Sequence, residues 1–132
     1  DFSPQQVNLA HKLGLTDIEC RDMRSFLSGN ENSFDVVFSF RLMQHMHKRK
    51  ERVEIYNEFS RVSKKWVLVS LYEKTLVHNI FKSLNKKKAK ITFLDKKSIE
   101  DEVSQAGLVP VYSKYVIPGI HGHKIFLTQK IK

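Results

Sequence analysis

An α/β fold built on a mostly parallel sheet is the class this sequence predicts, and three observations predict it. "FDVVFSF" at 34–40 and "KKWVLVSLY" at 64–72 are apolar, β-branched and aromatic runs of strand length, the composition of strands covered on both faces. Between them "ERVEIYNEFSRVS" sets Ile55, Phe59 and Val62 on one helical face. Strand, helix and strand therefore follow one another, a succession that right-handed crossovers assemble into a parallel pair. "LVPVYSKYVI" and "HKIFLTQKI" read as two terminal strands separated by a turn around Pro118 and Gly119.

The remaining elements follow in chain order. Ser3, then Pro4, with Gln6 three residues after the serine, form a capping box with proline at the first helical position, and Gly14 supplies the stop. Val7, Ala10 and Leu13 recur at helical spacing within it. "TDIECRD" predicts a short strand, and "MRSFLSGNENS" a loop. "RLMQHMHKRK" predicts a helical turn after the 34–40 strand. "TLVHNIFKSLNKKK" predicts an amphipathic helix with Val77, Ile80, Phe81 and Leu84 on one side. Ser98 with Asp101 predicts a capping box for "SIEDEVSQA", stopped at Gly107.

Length and composition bound the class of protein. At 132 residues, 41% of them hydrophobic, the chain is the size of one small domain with apolar material for a real core. Its single cysteine, Cys20, excludes an internal disulfide framework and is expected to face the core; a reducing, cytoplasmic location follows. No apolar run approaches the roughly 20 residues needed to span a bilayer. Lys plus Arg number 23 against 14 Asp plus Glu, a formal net charge of +9, which attracts anionic partners without naming them. Seven of those lysines lie between Lys82 and Lys97, where Asp95 is the one acid. That run reads first as a solvated face and second as an anion- or membrane-facing surface. His45 with His47 and His121 with His123 spell two H-x-H pairs, yet no cysteine or acid completes a zinc-ligand pattern, so no metal is expected.

Five segments, "DFSPQQVNLA", "RDM", "NSFDVVFSFRLMQHM", "FSRVSKKWVLVS" and "SIEDEVSQAGLVPV", resemble in order and spacing the class I S-adenosylmethionine-dependent methyltransferases of the small-molecule type. The resemblance spans about the first 115 residues. It implies a Rossmann-like methyltransferase fold, a mostly parallel sheet with an antiparallel C-terminal strand. The whole chain, 1–132, is then a single, partial domain. The family's N-terminal strand, glycine-rich loop and first helix have no counterpart, since the five glycines (14, 29, 107, 119 and 122) form no G-x-G motif. In the family's strand order the missing first strand lies beside "FDVVFSF", and the missing second lies between it and "DIEC". An exposed apolar edge and a split sheet are the expected consequences, with a homodimer formed through that edge.

The resemblance also assigns residues. Asp1 takes the place of the acid that accepts hydrogen bonds from the cofactor ribose, a carboxylate offering two acceptors to two vicinal hydroxyls. Asp22 matches the acid facing the adenine amino group, with Met23 against the ring. Ser39 and Phe40 end the strand that borders the cofactor's amino acid portion, and Arg41 faces the substrate. His45 coincides with a histidine that many members carry there, and its pKa range suits it to take a proton from a hydroxyl or amine. Trp66 stands where a glycine turn is usual and reads as packing. The segment 75–93 occupies the position of the family's variable substrate cover. Methyl transfer from S-adenosylmethionine to an O, N or C nucleophile of a small molecule is the implied activity, with the chain alone a poor cofactor binder. Two alternatives stand beside it: a non-enzymatic basic module binding nucleic acid or anionic membrane, although no RNA-reading motif is present, and a degenerate methyltransferase serving as a partner subunit.

Overall fold

The structure, a computed structural model, describes residues 3–20, 31–75, 91–118 and 122–131. Helix α1 (Pro4–Lys12) opens on the expected cap, with Ser3 Oγ accepting from the Gln6 backbone N–H at 3.4 Å. It closes where Gly14 takes φ +85°, left-handed backbone that suits glycine. Strand β1 (Phe34–Ser39) follows, then a 3-10 turn (Met43–His45), helix α2 (Arg49–Val62) and strand β2 (Ser63–Glu73). The two-residue strand β3 (Phe93–Leu94), helix α3 (Lys96–Gln105), β4 (Leu108–Tyr115) and β5 (His123–Lys130) complete the order.

The sheet runs β1-β2-β5-β4, with β3 added to β2 beyond the end of β1. β1 and β3 lie parallel to β2, whereas β5 is antiparallel to both β2 and β4. A mostly parallel sheet with one antiparallel C-terminal strand is thus present. Register divides it into two faces, because neighbouring Cα partners point the same way. Val37, Ser39, Val67, Val69, Leu71, Phe126, Thr128 and Leu108 share one face, and α2 and α3 close over it. Ile55, Tyr56, Phe59 and Val62 from α2 and Ile99, Val103 and Ala106 from α3 complete the core there. Each fully buried Val, Leu, Ile or Phe among them contributes about 1.5–3 kcal/mol. Arg52 and Glu102 tie the two helices together by a bidentate pair, at 2.8 Å from Nε and 2.6 Å from Nη2, and Arg52 also donates to the Met46 carbonyl. That hydrogen bonding holds the Arg52 pKa above its ordinary value, and burial raises that of neighbouring Tyr56.

Several expectations are corrected. "FDVVFSF" is not covered on both faces: Phe34, Val36 and Phe38 are exposed, because among the described residues β1 is an edge strand and no helix closes over their side of the sheet. Asp17 to Cys20 form no strand, because the ladders of the described sheet run among β1 to β5 and do not take in this segment. Cys20 is exposed rather than core-facing. Helix α3 starts at Lys96, not Ser98. Asp95 is the N-cap, accepting from the Ser98 N–H at 2.9 Å and from the Ser98 hydroxyl at 2.9 Å, since its carboxylate, directly before the first helical residue, reaches the N–H three residues on and the serine then lies within the first turn. Its stop at Gly107, φ +68°, is as expected. The helix expected over "TLVHNIFKSLNKKK", most of the 75–93 segment and most of the lysine run lie outside the described residues. No helix of the described residues is long and apolar enough to cross a membrane.

Candidate functional site

The carboxyl ends of parallel strands are where open α/β sheets receive ligands, because the chain leaves each strand there and loops diverge. In this molecule β1 and β2 both end on that side, and antiparallel β5 begins there. A cavity of about 290 Å³ sits at this end, lined by Phe40, Arg41, Tyr72, Val116, Ile117 and His123. Tyr72 and His123 are register partners across β2 and β5. Their rings stack at 4.9 Å with an interplanar angle of 11°, Phe40 meets His123 at 5.2 Å, and Phe93 closes edge-on against Tyr72 at 5.4 Å.

Arg41 enters the site through an unusual backbone. Its φ of +57° is left-handed, a region that costs a non-glycine residue about 1–3 kcal/mol where neighbours do not hold it. The Ser70 hydroxyl holds it, accepting from the Arg41 N–H at 2.7 Å. Gly122 marks a close approach behind His123: its carbonyl accepts from Glu73 N–H at 2.7 Å, and a side chain at 122 would collide with the Glu73 carbonyl oxygen. On the covered face, Glu73 accepts from Tyr115 and from Lys124, each at 2.8 Å, so this carboxylate is neutralised away from the cavity. The hydrogen bond to Glu73, with burial, raises the Tyr115 pKa.

The structure brings Phe40 and Arg41 into the cavity wall and leaves two other assigned residues outside it. Ser39 ends β1 on the covered face, buried, its hydroxyl meeting no hydrogen-bond partner among the described residues. His45 is exposed on the 3-10 turn, its ring nitrogen 3.3 Å from the Gln44 side-chain amide. His47 contacts the Thr92 hydroxyl at 2.9 Å, and among the described residues no three His, Cys, Asp or Glu side chains converge on a metal position. Asp1, Asp22 and Met23 lie outside the described residues. Sequence alone does not mark Tyr72 and His123 as cavity residues. The signal was there in outline, since each stands at the ligand-facing end of its strand.

For S-adenosylmethionine the described part of the end fits in one respect that geometry decides. A buried hydroxyl without a partner costs about 1–3 kcal/mol, so Ser39 at the end of β1 suits a polar ligand group arriving from that end.

These features define an α/β protein with a cavity at the carboxyl end of the parallel strands of its sheet. The comparisons with known proteins take the identification one step further. The family model described as a methyltransferase domain matches residues 1–69, more than half of the chain, and the chain belongs to that family, whose methyl donor is S-adenosylmethionine. A search of curated proteins finds no match. Among solved structures, a magnesium protoporphyrin IX methyltransferase from Synechocystis with bound SAH is similar at 12% identity and TM-score 0.80, covering 99% of this chain and 62% of that one. A SAM-dependent methyltransferase from Methanosarcina mazei is similar at 15% identity and TM-score 0.77, covering 99% and 80%. A Burkholderia thailandensis 1,6-didemethyltoxoflavin-N1-methyltransferase is similar at 14% identity and TM-score 0.70, covering 98% and 57%. At these identities the likeness establishes the shared fold. This chain spans about three-fifths of the Synechocystis enzyme.

Proposed function

We propose that the whole protein methylates an O, N or C nucleophile of a small molecule at the carboxyl end of β1 and β2. The observation that carries the reading is the aromatic cavity beside Arg41 at that end of a methyltransferase-family sheet. When bound, S-adenosylmethionine supplies an electrophilic methyl on a sulfonium. The protein's task is to align the nucleophile with that methyl and exclude water. Asp1 holds the ribose and Asp22, with Met23, the adenine. The Ser39 hydroxyl and the Phe40 backbone border the amino acid portion, and the Phe40 ring offers its face to positive charge. Arg41 and the aromatic wall orient the acceptor. His45 takes the acceptor's proton at a ring nitrogen where the nucleophile is a hydroxyl or amine.

Isothermal titration of S-adenosylhomocysteine tests the cofactor role in the 132-residue chain and in the whole protein. Weak binding by the chain and tight binding by the whole protein is the expected result. Absence of binding by the whole protein would overturn the reading.

A second reading, about partners, rests on the two edges of the sheet. β4 carries Pro110, a register irregularity beside it and Lys114, devices that discourage further pairing. β1 carries neither proline nor lysine and exposes Phe34, Val36 and Phe38. On this reading, the edge of β1 pairs with a strand of a second copy when the 132-residue chain is alone. Light scattering would then give a dimer, and a monomer at high protein concentration would dismiss this partner assignment.

A further inference from the structure

The cavity at the carboxyl end of β1 and β2 has a lopsided chemistry. Phe40, Tyr72 and His123 make one continuous aromatic wall, extended by Phe93 behind Tyr72. Val116 and Ile117 add apolar lining, and among the described residues no acidic side chain lines the space. Arg41 is the one permanently charged residue among those that line it.

The Arg41 guanidinium differs from those of the other described arginines. Arg52 and Arg61 pair with Glu102 and Glu58 at 2.6 and 2.9 Å, and Arg49 reaches Glu102 at 4.0 Å. Arg41 pairs with no carboxylate among the described residues, while its backbone is fixed in a left-handed conformation by Ser70. Strained backbone held by its surroundings is a recurring feature of ligand sites. A planar fork of donors beside stacked rings fits a ligand that is itself planar and anionic, because the ring gains stacking contact and the carboxylate accepts two parallel hydrogen bonds. The volume, about 290 Å³, stands at the lower end for ligand clefts and suits one ring or two fused rings.

We infer that this cavity receives a small aromatic or heteroaromatic carboxylate, its ring against Phe40, Tyr72 and His123 and its carboxylate on Arg41. The inference rests on the reading of this end of the sheet as the acceptor site, and names the acceptor's class.

The test is a titration of the full 132-residue chain with three probes, followed by amide chemical shifts: 4-hydroxybenzoate, 4-hydroxybenzamide and cyclohexanecarboxylate. The benzoate is expected to bind roughly ten-fold more tightly than the amide, the share of one charge-assisted contact, and more tightly than the non-aromatic acid. Arg41→Gln should abolish the preference of acid over amide while leaving the amide's own affinity in place, a ratio that a general loss of structure would not change selectively. Equal binding of acid and amide, equal binding of the cyclohexane acid, an unchanged ratio in Arg41→Gln, or no binding of any probe overturns the inference. S-adenosylhomocysteine is titrated in parallel into the whole protein. Its binding without discrimination among the three probes defeats the acceptor class and leaves the methyltransferase reading standing, whereas discrimination without its binding does the reverse.

Discussion

The two faces of the sheet have similar sequences and opposite surroundings. On one, Val67, Val69, Leu71, Phe126 and Leu108 are sealed beneath α2 and α3. On the other, Phe34, Val36, Phe38, Val109 and Tyr112 are exposed, and Trp66, Leu68, Ile125 and Leu127 are only half-buried. Both faces are apolar, so hydrophobic character alone does not say which has its cover. What differs is the helix supply. α2 and α3 carry complementary stripes and are locked by Arg52 and Glu102, and no described helix does the same for the second face. Among the described residues the second face is thus a broad exposed apolar surface, and the cavity lies at its end where β1 and β2 finish.

The largest expected effect breaks the cover of the sealed face. Side chains of Arg52 and Glu102 are 5% and 1% exposed. Glu102→Ala should leave the guanidinium buried and unpaired, at about 3–5 kcal/mol in urea unfolding. Replacing both residues by apolar side chains of similar volume should recover most of that loss, because neither charge then needs a partner. A loss below about 1 kcal/mol for the single change would mean that α2 and α3 do not close over the sheet in solution.

Next in size is a direct contrast between faces. Leu71→Ala on the sealed face should cost about 2–5 kcal/mol. Phe38→Ala, at a side chain 61% exposed, should cost about 0.5 kcal/mol or less in a dilute monomer. If a second copy covers β1, the Phe38→Ala penalty should grow with protein concentration while that of Leu71→Ala stays constant. Equal penalties at all concentrations would erase the distinction between the faces.

How far this was legible in the sequence depends on whether the cause was local. The helix expected over 51–63, the strand at 64–72 and the terminal pair are fixed by periodicity and composition within a few residues, and they stand within two residues of the expected bounds. "FDVVFSF" was legible as a strand but not as an exposed one, because exposure is decided by what lies beside it. The same applies to "DIEC", whose composition is local while membership of a strand ladder is not. At the site, Phe40 and Arg41 were visible as strand-end residues of a known pattern. Tyr72 and His123 were not, since their meeting depends on the antiparallel register of β2 with β5, some fifty residues apart in the chain.

The smallest expected effect concerns the end of α3, one of the two helices that seal the covered face. Asp95 accepts from the Ser98 backbone N–H and hydroxyl, and those bonds, with Lys74 at 3.9 Å, lower its pKa below the ordinary aspartate value. A carboxyl whose folded pKa is depressed stabilises the fold above its unfolded value of about 3.9, and the contribution disappears as pH falls through the folded pKa. Asp95→Ala should therefore cost on the order of 1 kcal/mol at pH 7, toward the lower end for caps because the site is exposed, and progressively less below pH ~4. Asp95→Asn keeps a capping oxygen but carries no titrating charge, so the difference between wild type and this variant should shrink with acidification. Urea unfolding of all three at pH 7 and pH 3 checks the sign. A wild-type advantage over Asp95→Asn that grew at pH 3 would contradict the cap's charge dependence and leave α3 held by its packed face alone.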